Sequence, residues 1–295
     1  LFKGKSHFGE NVTFDETLPT NYLADEVIDD NKVNELLAKK YNETIVIAED
    51  DSEILAYLKD ELSTNFRVIA VNNGYDAVKA VMDDEVSLIL SDVLMPALNG
   101  FQLCSNIKSN IATCHIPIVL LTALSDDNQR IYGIAEGADE YIHKPFNMQY
   151  VRLKIIRIIE ERKRLASTFA QKFGRLTRHE AANLPCVDDV FRDKLFNLIE
   201  AQHSDSNFKI ELMSDMLGMS RILLYRKITS IFGMSPSDLL RNYRLQKAVQ
   251  LLTDQRRNVS EVAYIVGFSS PAYFAKCFKS VYNMTPTEYM YRTRE

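Results

Sequence analysis

Between Glu43 and Phe146 the chain alternates five short apolar runs with segments of helical period, and this alternation narrows the available folds sharply. The runs are ETIVIAEDD, FRVIAV, VSLILSD, IPIVLLTA and ADEYIHKPF. After the first run, Ile54, Leu55, Leu58 and Leu62 recur at the spacing of one helix face. A strand that is apolar on both sides needs cover on both faces of its sheet. The segment is therefore expected to be α/β, a parallel sheet with helices on each face.

From Asp188 onward every pattern is helical, and no alternating strand appears. The length of 295 residues suits about two domains. The expected division is a polar N-terminal arm (1–43), an α/β domain (44–165), a linker (166–187) and an all-α domain (188–295). The arm includes one helix-like run from Asp25 to Lys40. Charge divides in the same sense. Residues 207–295 hold thirteen Lys and Arg against seven Asp and Glu, whereas the whole chain carries −5. A basic rear half suits a polyanionic partner.

The composition, 46% hydrophobic and 25% charged, is that of an ordinary globular protein. No run approaches the roughly 18 apolar residues of a membrane helix, and no signal peptide opens the chain, so a cytoplasmic location without membrane contact is expected. Cys104, Cys114, Cys186 and Cys277 are scattered, without metal-ligand spacing, and read as reduced thiols. The chain opens on Leu1, which reads as the start of a C-terminal piece of a longer protein.

In an open parallel sheet, ligands gather where strands end. The first run ends in Glu49-Asp50, the third in Asp92, the fourth in Thr122, and the fifth leads into Lys144-Pro145. Carboxylates crowded at one edge repel unless a cation joins them, and hard oxygen donors suit Mg²⁺. One aspartate can then attack a phosphoryl group, while a hydroxyl and an ammonium hold the new oxygens. Glu49-Asp50, Asp92-Val93-Leu94-Met95-Pro96 with Gly100, Thr122-Ala123 and Lys144-Pro145-Phe146 resemble the receiver domain of two-component response regulators.

That resemblance implies a flavodoxin-like (βα)5 doubly wound fold with strand order 2-1-3-4-5. It implies that Asp92 is the phosphoryl acceptor, and that Glu49, Asp50, Asp92 and the Leu94 backbone carbonyl serve Mg²⁺. Thr122 and Lys144 sense the phosphate, and Tyr141 is the switch aromatic. Glu49 stands where the family usually has Asp. Apolar Leu94 and Leu124, two residues beyond Asp92 and Thr122, are expected to shield the acyl phosphate from water.

In the helical half, FKIELMSDMLGMSRILLYRKITSIFG reads as helix, Gly218 turn and helix, with Leu212, Met213, Leu217, Leu223 and Ile228 as shared core. A connecting helix from Pro236 carries Arg241, Arg244 and Lys247. The pattern then repeats in VSEVAYIVGFSSPAYFAKCFKSVYN, turning at Gly267. These two helix-turn-helix units resemble the AraC-type DNA-binding domain. The resemblance implies that the second helix of each unit enters the major groove of promoter DNA. The expected contacts are Arg221, Tyr225, Arg226 and Lys227 in the first unit and Ser270, Ala272, Tyr273 and Lys276 in the second. Phe274, adjacent to Tyr273, is expected in the core.

Together the resemblances imply a transcription regulator that takes its phosphoryl group from a phosphohistidine kinase and forms a homodimer when phosphorylated. As an isolated fragment it would not be an enzyme beyond weak autophosphatase activity. The head LFKGKSHFG resembles the end of a histidine-kinase ATP-binding domain, so residues 1–15 are expected to be a kinase remnant. The parent would then be a hybrid two-component regulator, a group that often senses carbohydrates. Two other classes stay open on the residues: a Mg²⁺-dependent phosphate-ester hydrolase, and a protein-binding phospho-relay that touches no DNA.

Overall fold

The computed structural model describes residues 30–123, 137–173, 188–253 and 257–292. The chain divides into two compact units, Leu1–Glu161 and Arg162–Glu295.

In the first unit, α1 (Asp30–Ala38) precedes β1 (Thr44–Ala48), α2 (Ser52–Ser63), β2 (Arg67–Val71), α3 (Gly74–Asp83), β3 (Leu88–Asp92), α4 (Gly100–Ser109), β4 (Ile118–Thr122) and β5 (Glu140–His143). α5 (Met148–Phe173) follows and ends in the second unit. The helix expected between β4 and β5 falls in 124–136, outside the described residues. The five strands lie in the order β2-β1-β3-β4-β5, and every neighbouring pair is parallel. This is the expected flavodoxin-like order.

Period-two alternation sends each strand's side chains to opposite faces. Ile45, Ile47, Leu88, Leu90, Val119 and Leu121 share one core with Leu58 and Leu62 of α2 and Val151, Ile155 and Ile159 of α5. Val46, Ala48, Ile89, Ile118 and Leu120 share the other with Ala77 and Val81 of α3 and Leu103 and Ile107 of α4. Full burial of one such aliphatic side chain is worth about 1.5–3 kcal/mol, so two covered faces account for the wholly apolar runs.

The expected arm is not all arm. Residues 1–29 lie outside the described residues, but α1 packs Leu36 and Leu37 against the sheet core. The buried Asn65 amide donates to the Leu37 and Lys39 carbonyls at 2.9 and 2.7 Å, and Tyr41 stacks on Phe66 with centroids 5.2 Å apart.

The second unit is helical throughout its described residues: α6 (Asp189–Gln202), α7 (Ile210–Met216), α8 (Arg221–Phe232), α9 (Pro236–Thr253), α10 (Val259–Ile265), α11 (Pro271–Tyr282) and α12 (Pro286–Arg292). Its two halves repeat the same local chemistry. Gly218 and Gly267 turn the chain at φ 68° and 87°, backbone that a side chain disfavours. Ser220 and Ser270 then cap α8 and α11 by accepting from the backbone N–H three residues on. Gly233 and Asn283 end those helices left-handed. Ser235 with Asp238, and Thr285 with Glu288, start the next pair.

Three expectations about packing need revision. Leu212 is exposed, because Met213 and Ser214 take the inward face of the short α7 and a neighbour on a helix points about 100° away. Leu217 and Leu223 are half-buried, while Met213 and Ile228 are buried as expected. The stretch 166–173, expected to carry the helix from Met148 on into the linker, is helical as expected, but Ala166, Phe169 and Phe173 are buried. The Phe169 ring lies 4.8 Å from Phe232 and the Phe173 ring 5.5 Å from Phe196. The remaining linker residues, 174–187 with Cys186, are outside the described residues.

Candidate functional site

The sheet brings the charged strand ends together. β1 delivers Glu49 and Asp50, and β3, beside it, ends in Asp92. Asp92 pairs in register with Leu121, so Thr122 stands one residue further along the neighbouring strand. Thr122 pairs with His143, and the Lys144 N–H donates to the Thr122 carbonyl at 2.7 Å. Lys144 thereby enters the same edge. Its Nζ lies 2.9 Å from Glu49 Oε2 and 3.1 Å from Asp92 Oδ1.

One oxygen from each of Glu49, Asp50 and Asp92 falls within 4.8 Å of the others. Glu49, Asp92 and Thr122 are buried and Asp50 is exposed, so the cluster opens to solvent on the Asp50 side. Burial, reinforced by the Asp92 charge, pushes the Glu49 carboxyl up to about 7 despite the opposing pull of Lys144. Burial works against the Lys144 ammonium, but its hydrogen bond and attraction to Glu49 and its attraction to Asp92 prevail, and its pKa is raised. Three carboxylates with one ammonium leave negative charge unmatched. The donor set, all oxygen and half-open, fits a hard divalent cation.

The loop after Asp92 is shaped for this approach. The Val93 N–H donates to Asp92 Oδ1 at 2.9 Å. A Cβ on Gly100 would sit 2.3 Å from the Asp92 carbonyl oxygen, so glycine is required there. Ala97 adopts φ 67°, a left-handed conformation unusual for a residue with a side chain. The Leu94 side chain is exposed, whereas Leu124 falls outside the described residues. Tyr141 is half-buried and packs against the core shared with α3 and α4.

In the helical unit, α8 buries Leu224, Lys227, Ile228, Ile231 and Phe232. Arg221 and Tyr225 are exposed and Arg226 is half-buried. Lys227 requires a correction: it cannot serve as a DNA contact in this arrangement. It is fully buried, its Nζ is 2.6 Å from Asp188 Oδ2, and its charge lies 4.6 Å from the Phe191 ring centroid. Its spacing three residues after Leu224 and four before Ile231 already marks the inward face; Asp188 as its partner is not visible from spacing. On α11, Ala272, Tyr273 and Lys276 are exposed, the capping Ser270 is half-buried, and Phe274 is buried as expected. Arg244 of the connecting helix donates to the carbonyls of His203 and Asp205 and holds the fold together. Lys247 pairs with Glu200, and Arg241 with Asp238.

Residues 45–156 match the family model of the response regulator receiver domain, and residues 213–292 match a helix-turn-helix domain of the AraC type. Histidine kinase P4 of Formosa agariphila is 37% identical over 280 residues, covering 95% of this chain and 20% of that protein. Transcriptional regulatory protein GltR of Pseudomonas aeruginosa is 38% identical over 38% of this chain and 47% of its own length. Response regulator GtcR of Aneurinibacillus migulanus is 29% identical over 63% of this chain and 74% of its own. The chain thus spans about a fifth of the first relative and about half of the second. No helix among the described residues is long and apolar enough to cross a membrane. The chain therefore joins a response regulator receiver domain to an AraC-type helix-turn-helix domain.

Proposed function

We propose that the chain is a transcription regulator whose grip on promoter DNA is set by phosphorylation of Asp92. The observation that carries this reading is the Lys144 ammonium lying between Glu49 and Asp92, in a pocket whose three carboxylates converge. Asp92 attacks the phosphorus of a phosphohistidine, the histidine nitrogen leaves, and an acyl phosphate forms. Lys144 and the Thr122 hydroxyl hold the incoming oxygens by charge and hydrogen bonding. Glu49, Asp50, Asp92 and the Leu94 carbonyl would hold Mg²⁺, which supplies positive charge to offset that of the phosphoryl oxygens. Tyr141, next to the pocket in sequence and partly exposed, responds to the new position of Thr122.

The phosphoryl donor is a histidine kinase module, in the same polypeptide or a separate one. The long alignment with a much larger protein named a histidine kinase supports the former. Phosphorylated chains pair, which sets four reader helices on one stretch of DNA and raises affinity through effective concentration. Incubation with acetyl phosphate and Mg²⁺, followed by intact-mass spectrometry, tests the first step. The expected product carries one acid-labile phosphoryl group that Asp92→Asn abolishes and that chelation of Mg²⁺ prevents. An unmodified wild-type chain, or an adduct that survives Asp92→Asn, contradicts the reading.

A further inference from the structure

Resting on the DNA-binding reading above, we propose that Ile222 reads a thymine, its side chain docking on the 5-methyl group in the major groove, with Ala272 at the matching place in the second unit. Ile222 is 63% exposed, although α8 has ample apolar residues facing inward. At about 100° per residue, Ile222 stands almost opposite the inward side formed by Leu224, Lys227 and Ile231. Its side chain faces away from the core of the helical unit.

One exposed isoleucine would mean little by itself. The repeat supplies the second observation. Ser220 and Ser270 cap the two reader helices in the same way, and two residues after each cap stands an exposed apolar residue, Ile222 or Ala272. Four residues further along each helix stands a cation, Arg226 or Lys276. That is about 6 Å along the axis and on the same face. Arg221 flanks Ile222 on the other side, with a largely exposed side chain that an exposed Glu211 meets at 3.3 Å, a surface pair that a phosphate can displace. Cations on both sides of the apolar tip favour a polyanion over an apolar protein surface. Within the major groove, thymine alone presents a methyl group, and apolar side chains are what meet it.

Deoxyuridine differs from thymidine only in lacking that methyl, so it isolates the contact. The full chain is first used to select its site from random duplex DNA. Affinity is then measured by fluorescence anisotropy at fixed salt, with each thymine replaced singly. One replacement is expected to weaken the wild type about fourfold, which corresponds to roughly 0.8 kcal/mol for one buried carbon group. The same replacement should leave Ile222→Ala unaffected, and Ile222→Val should stay sensitive. Because Ile222 is exposed, these variants keep the folded core, which circular dichroism checks. A wild type indifferent to every replacement, or an Ile222→Ala variant equally sensitive, overturns the proposal while DNA binding stands. A chain that selects no DNA removes the underlying reading and the proposal with it.

Discussion

Lys227 keeps a charge inside the helical unit because Asp188, itself nearly buried, stands 2.6 Å away. Removing one member of such a pair strands the other in a poor solvent. Lys227→Ala is therefore expected to cost about 3–5 kcal/mol, read by urea unfolding of the helical unit. Lys227→Met combined with Asp188→Asn should recover most of that loss, because both charges leave while the cap on the Phe191 N–H is kept. Ala97, at φ 67°, carries a backbone cost that glycine does not. Ala97→Gly is expected to raise receiver stability by about 1 kcal/mol, measured by the same unfolding experiment. The pocket residues were legible in the sequence because each stands at the end of an apolar run, and parallel strands bring their ends to one edge. The partner of Lys227 was not, since it lies 39 residues upstream and only tertiary packing joins the two.

The strands were legible as elements for a related reason: five-residue runs such as TIVIA and IVLLT are buried along their whole length. The edges of the elements were less so. In α5, the helical pattern runs on through the charged ERKRL into the expected linker, but that charge gives no sign that Phe169 and Phe173, spaced four apart on one face beyond it, are core residues. Both rings are buried against Phe196 and Phe232. Phe169→Ala or Phe173→Ala should each remove about 3–5 kcal/mol from the helical unit and leave the receiver transition unchanged, which differential scanning calorimetry resolves. Equal loss in both transitions would place those rings elsewhere. α1 and the residues just after it were undervalued for a similar reason, as the Leu37 and Lys39 carbonyls accept from Asn65 and Lys39 pairs with Glu160, far along the chain.

Across the whole molecule, the change of texture near Asp188 and the excess of thirteen cations over seven carboxylates in residues 207–295 announced two functions. Their coupling is a property of neither half alone, and composition is silent on it. The most direct measurement is promoter affinity of the full chain, with and without acetyl phosphate and Mg²⁺, for the wild type and Asp92→Asn. The wild type should bind about 100-fold more tightly once phosphorylated, the low end of what pairing two binding modules supplies, and Asp92→Asn should bind alike under both conditions. Equal wild-type affinity with and without the phosphoryl donor, or an Asp92→Asn chain that responds as the wild type does, would contradict control of DNA binding through Asp92.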